Sequence, residues 1–179
     1  MIEIPLSQGK VALIDDADWE FVSGFKWYAF KDKNTFYART NVRRADGTRT
    51  TIKMHRLLLG LTDPLVQADH IDGNGLNNRR SNLRACTNTE NQWNTGAKIN
   101  NTSGFKGVCW RADMGKWVAK IKVNGKMKHI GLFTTPEAAH AAYCTAAAEL
   151  HGEFVNIGKP PTKRWSKPEF EIIHTGAPR

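Results

Sequence analysis

Ala68-Asp69-His70-Ile71-Asp72-Gly73-Asn74-Gly75-Leu76-Asn77-Asn78, continued by Ser81-Asn82-Leu83-Arg84 and Asn88-Thr89-Glu90-Asn91, is the stretch that decides how this chain is read. It offers one imidazole, a carboxylate directly before it, and a side-chain amide 21 residues beyond the imidazole. Asp and Asn oxygens are hard ligands, which suit Mg²⁺, Mn²⁺ or Ca²⁺ better than Zn²⁺. A neutral histidine beside such an ion can deprotonate water for attack on phosphorus, since its ordinary pKa of about 6.5 suits that step. Neighbouring residues of a regular strand point to opposite faces, so Asp69 and His70 serve one site only if the strand ends or bulges there. The Asp72-Gly73 turn that follows supplies such an end. On spacing alone, a metal-assisted site and a histidine satisfied within a turn both stay open.

The surrounding chain has 179 residues, 26 Lys and Arg against 17 Asp and Glu, and a formal net charge of +9. Hydrophobic residues make up 40%, enough for packed cores. No run approaches the ~18 apolar residues of a membrane helix. The N-terminal residues carry Glu3 where a signal peptide would be basic, which argues against secretion. Cys86, Cys109 and Cys144 are odd in number and far apart, so neither a disulfide framework nor paired-cysteine zinc ligation is expected. A cytoplasmic protein with free thiols is the expectation. The charge is concentrated: residues 98–128 hold eight Lys or Arg against the single acid Asp113, which points to a polyanion such as nucleic acid.

Upstream, residues 1–53 read as short strands with turn punctuation, a β-rich scaffold without evident chemistry. Strands are expected over residues 10–14, 25–30, 35–42 and 48–53, with a short helix after Asp15-Asp16-Ala17-Asp18, a loop at 31–34 and a turn at Asp46-Gly47. A short helix over 54–61 leads into the Asn-rich stretch. Downstream, residues 104–111, 116–123 and 126–133 form three expected strands, the last two joined by Asn124-Gly125, the strongest short hairpin signal. Residues 136–150 form an Ala-rich helix capped at Thr134/Thr135, with Ala139, Tyr143, Ala146 and Leu150 on its packing face. The tail from 159 on, with two prolines in a row, is expected to be extended.

The central residues resemble the HNH endonucleases of the phage and homing-endonuclease branch, whose ββα-metal motif runs Asp-His, Asn-Leu, Glu-Asn. Asp69-His70, Asn82-Leu83-Arg84 and Glu90-Asn91 match it, within residues 54–97. The resemblance implies His70 as general base, Asp69 and Asn91 as ligands of a divalent ion (Mg²⁺ or Mn²⁺), and Asn82 as the catalytic-loop asparagine that orients the histidine. The last motif position is Asn91, not His, which favours a hard ion over zinc. His55 is read as structural and Cys86 as a small buried residue.

In the second expected strand, Trp117, Ala119, Ile121 and Val123 share one face and Lys116, Val118, Lys120 and Lys122 the other, so an apolar face can pack on the helix and leave a positive one open. A narrow sheet of this kind can enter the major groove. Gly104-Phe105-Lys106-Gly107-Val108, Gly115-Lys116-Trp117, Gly131-Leu132-Phe133, the helix from Glu137 to Tyr143 and Val155-Asn156-Ile157 resemble the plant ethylene-response-factor DNA-binding domain. Against that pattern, Cys109 stands where Arg follows Gly-Val, one residue is inserted before Gly115, and His129 replaces a strand-three Trp. The resemblance implies DNA contacts from Lys106, Trp110, Arg111, Lys116, Lys120, Lys122 and His129, but not the plant target sequence.

The expectation is thus an α+β chain in four parts: scaffold 1–53, nuclease module 54–97, three-stranded antiparallel sheet packed on one helix 98–158, and tail 159–179. Its expected activity is metal-dependent nicking or cleavage of double-stranded DNA, targeted by a C-terminal domain, with the oligomeric state open and a monomer favoured. A non-catalytic DNA-binding regulator with a relic nuclease module is the alternative.

Overall fold

The computed structural model describes residues 1–32, 35–97 and 101–158. It is α+β, built from small antiparallel sheets and few helices, as expected. The described residues divide into two compact units, Met1–Thr95 with Ala147–Asn156, and Gly96–Ala146 with Ile157 and Gly158.

In the first unit, β1 (Ile2–Pro5) and β2 (Val11–Ile14) form a hairpin, and a single turn of helix, α1 (Trp19–Val22), follows. Strands β3 (Tyr28–Asp32), β4 (Thr35–Arg43) and β5 (Arg49–Lys53) make a meander whose first loop falls on residues outside the described set. Helix α2 (Met54–Leu58) is shorter than expected, because Gly60 turns the chain into the left-handed region at φ 63°. The β6 (Gln67–His70) and β7 (Leu83–Cys86) pair and α3 (Asn88–Trp93) complete the ββα arrangement.

One hydrophobic cluster joins Ile4, Ala12, Ile14, Val22, Trp27 and Ala38 to Met54, Leu58 and Leu83. The expected boundary at 53/54 therefore runs through a shared core. The scaffold also grips the loop after His70. Leu13 N donates to Leu76 O and Asn78 N to Leu13 O, both at 2.8 Å. Gly75 N donates to Thr35 Oγ1, and a Cβ at Gly75 would lie 2.5 Å from Phe36 O, so only glycine lets the loop approach this closely.

The second unit holds β8 (Val108–Arg111), β9 (Lys116–Val123) and β10 (Lys126–Phe133) in the order β10-β9-β8. Asn124 and Gly125 both take positive φ (49° and 79°), the two-residue turn their sequence predicts. β8 starts four residues later than expected. Ser103 Oγ and Asn101 Oδ1 bind the backbone of 103–108, and Gly104 and Gly107 take φ 75° and 76°, so that stretch turns instead of extending. Helix α4 (Pro136–His151), which belongs to this unit through Ala146 and to the first from Ala147, is capped by Thr135, whose Oγ1 accepts from Ala138 N at 3.2 Å. Its most buried residues are Ala139, Tyr143 and Ala147, a face one position off the expected Ala146/Leu150 edge. Val108, Trp117, Ala119 and Ala139 make this unit's core.

Candidate active site

β6 and β7 pair antiparallel with Asp69 opposite Arg84 and His70 opposite Leu83. Alternation sends the side chains of Asp69 and His70 to different neighbours, and β6 ends at His70, where Gly73 N closes a turn on His70 O at 2.9 Å.

His70 is 5% exposed and packs among aromatic rings. Its ring centroid lies 5.0 Å from that of His55, at an interplanar angle of 84°, and 5.8 Å from that of Tyr37. Its Nε2 sits 3.3 Å from Asn78 Oδ1. The Asn78 amide is oriented by its other end, because Nδ2 donates to Leu76 O at 3.1 Å. Asn78 thus offers its oxygen to the ring, Nε2 carries the proton, and Nδ1 keeps the lone pair. Burial lowers the pKa of His70, which holds the ring neutral; hydrogen bonding to Asn78 and the charges of Asp72 and Asp69 act the other way. His55 is 4% exposed and is pushed down to about 2, chiefly by burial and then by His70 and nearby cations.

Asn82 braces the loop rather than touching the ring. Its Nδ2 donates to Asp72 Oδ1 (2.9 Å) and Asn77 O (2.8 Å), and its Oδ1 accepts from Asp72 N (3.0 Å). The Asn77 amide in turn donates to Asp72 Oδ2 at 2.8 Å. Part of the asparagine richness of the stretch is accounted for here: the amides of Asn74, Asn77, Asn78 and Asn82 supply hydrogen bonds that a loop without strands lacks.

Asp69, 5% exposed, accepts from Arg84 Nε (2.9 Å) and Nη2 (2.7 Å) on Oδ2. Asn94 Nδ2 donates to both carboxylate oxygens (2.9 and 3.0 Å) and to His70 O (2.9 Å). Asn94 is anchored from the far end of the unit, where Asn156 Nδ2 donates to Asn94 O at 2.6 Å. Arg84 is held there too, by Glu153 O and by the Phe154 ring 4.1 Å from its guanidinium carbon. Trp93 stacks on His151 at 4.3 Å. Sequence reasoning missed Asn78, Arg84, Asn94 and Asn156 as parts of this arrangement. Arg84 was readable in principle, since it stands in the quoted motif.

Asn91 lies on α3, which opens on a capping box between Thr87 and Glu90. Its backbone N–H bonds to Thr87 O, and its half-buried side chain makes no hydrogen bond among the described residues. The donor set suits a hard cation: Oδ1 of Asp69 has one protein donor and a lone pair to spare, and the Asn91 amide oxygen is unengaged. No group of three or more His, Cys, Asp or Glu side chains that could hold a metal occurs among the described residues.

In the second unit, Arg111 faces Lys116, Lys120 faces His129 and Lys122 faces Met127 across the sheet, which puts them on the side away from Ala119 and Ile121. Met127 and Leu132 are exposed on that side as well. Arg111 is paired with Asp113 at 3.0 Å. Lys106 precedes the strands and burial pushes its pKa down to about 8. Trp110 is half-buried: it stands opposite Trp117, 5.1 Å away edge-on, and packs against the core. Directly opposite residues share a face, so the register that buries Trp117 takes Trp110 with it.

A family model described as HNH endonuclease matches residues 66–93. Protein 3.8 of Escherichia phage T7 is 38% identical over 89 residues, which are 50% of this chain and 73% of that protein. A protein of Acanthamoeba polyphaga mimivirus named as an uncharacterized HNH endonuclease is 30% identical over 157 residues, 85% of this chain and 76% of its own length. No solved structure matches.

Proposed function

Because this chain belongs to the HNH endonuclease family, we propose that it is a divalent-metal-dependent endonuclease that nicks or cleaves double-stranded DNA by phosphodiester hydrolysis. The observation that carries this reading is the His70–Asn78 pair at 3.3 Å, which leaves Nδ1 of a neutral imidazole as a proton acceptor. His70 Nδ1 takes a proton from water as the water oxygen bonds to phosphorus, and the P–O3′ bond breaks. Asn82 keeps the loop carrying Asn78 in place while this happens. Asp69 and Asn91 would hold Mg²⁺ or Mn²⁺, which supplies positive charge against the crowded phosphate and the departing oxygen.

The sheet of β8–β10 is the DNA-binding part of the proposal, similar to the ethylene-response-factor domain. Lys116, Lys120, Lys122, His129 and, through Asp113 release, Arg111 meet phosphates, and Lys106 adds charge at the edge. Trp110, half-buried beside Trp117, completes this set with its exposed part. Replacing Lys116 and Lys120 by alanine is expected to weaken DNA binding and to flatten the plot of log affinity against log salt by about one unit per lost phosphate contact, read by filter binding across a salt series.

Supercoiled plasmid tests the catalytic reading. The protein with Mg²⁺ or Mn²⁺ is expected to convert it to open-circle or linear form, EDTA to stop the conversion, and Asn91→Ala to slow it by about 100-fold, in the range seen when a site loses one stabilising group. Binding without conversion under every ion would leave a non-catalytic DNA-binding protein.

A further inference from the structure

From residue 67 to residue 97 the chain has three basic residues, Arg79, Arg80 and Arg84. Two of them are neutralised. Arg84 is bound to Asp69 at 2.7 Å. Arg80 donates Nε and Nη2 to the buried Asp18 at 2.9 and 2.7 Å, tying the loop to the scaffold. Arg79 differs from both. Its Nε donates to Asn77 Oδ1 at 3.0 Å, and its terminal nitrogens meet no carboxylate, carbonyl or ring among the described residues. Asp72, the acid of the same loop, directs its oxygens to Asn74, Asn77 and Asn82 instead.

The anchorage of Arg79 is rigid. Asn77 is 7% exposed, and its carbonyl and amide are tied to Asn82 and Asp72. Asn78, the next residue, fixes the proton on His70. Consecutive amides of one loop thus set the proton acceptor and hold a half-buried guanidinium that meets no counter-charge among the described residues. A positive group kept partly out of water without an anion lowers stability unless an anion arrives. A guanidinium with Nε held still presents its two terminal nitrogens as a fork, which matches two phosphate oxygens.

We propose that Arg79 is a further catalytic residue, binding the non-bridging oxygens of the phosphate that His70-activated water attacks. This rests on the endonuclease reading above. Negative charge grows on those oxygens as the new P–O bond forms, so the contact strengthens toward the transition state and acts on kcat more than on KM.

Plasmid nicking by Arg79→Ala and Arg79→Lys in the full-length chain tests this, with thermal unfolding of each variant alongside. Arg79→Ala is expected to lose roughly 100- to 1,000-fold in kcat at nearly unchanged KM and Tm. Arg79→Lys keeps charge without the fork and falls between it and the parent. Added guanidinium ion restores part of the Arg79→Ala rate, which a loop brace would not allow. Cleavage by Arg79→Ala at the parent rate overturns the assignment, as does a loss that guanidinium leaves untouched. A parent protein inert with both ions would instead overturn the endonuclease reading itself.

Discussion

His70→Ala is expected to lower plasmid nicking by about 10²–10⁴-fold, the range of a positioned general base, while DNA binding stays near that of the parent. Binding is expected to survive because the lysines and arginine of β9 and β8 belong to other elements. A mutant that nicks at the parent rate would remove His70 from the mechanism. The pH dependence carries a sign that can be checked. The base works deprotonated, and burial lowers the pKa of His70, so the acid limb of the rate profile should lie below about pH 6.5, the ordinary histidine value. His55, pushed down to about 2 by burial, behaves alike in folding. In the folded chain both rings resist protonation, while the unfolded chain takes up protons below about 6.5. Their contribution to stability is complete above that value and is lost as pH falls, which urea unfolding at pH 7.5 and 5.5 would read.

Arg84→Ala is expected to destabilise the fold by about 3–5 kcal/mol, the cost of leaving a buried charge without its partner. Asp69 is 5% exposed and the Arg84 side chain 12%, so water screens neither. Removal would leave the carboxylate with Asn94 alone, and would also empty the space over Phe154 and release Glu153 O. For a chain of this size the loss corresponds to a Tm lower by roughly 6–20 °C. The double variant Asp69→Asn/Arg84→Ala should recover part of it, because no unpaired charge then remains buried. A loss under about 1 kcal/mol, as for an exposed pair, would show that the carboxylate is hydrated in solution.

The hairpin at Asn124-Gly125 and the Ala-rich helix were legible from residues alone, because each rests on contacts within a few positions, while the ββα stretch was read through its resemblance to a family motif. Asp72, Asn74, Asn77 and Asn82 bind one another across ten residues or fewer, and such spacing repeats as a motif. Where short-range signals compete, legibility drops. Residues 104–107 alternate like a strand, yet Ser103 and Asn101 claim their backbone. For Trp110, only the register with Trp117 shows that the ring also packs against the core.

What the sequence determined by itself is the chemistry on offer: an imidazole, hard-oxygen donors and a basic sheet, brought together by local turns and alternation. What only the tertiary structure decided is which of these groups are engaged. Asp18 reaches Arg80 across 62 positions, and Asn156 reaches Asn94 across 62. No periodicity marks such pairs, since their geometry comes from how hydrophobic faces close over Ile14, Met54 and Leu83. That closure neutralises Arg80 and Arg84 and leaves Arg79 without an acidic partner among the described residues, a difference among three identical side chains that burial and distance alone create.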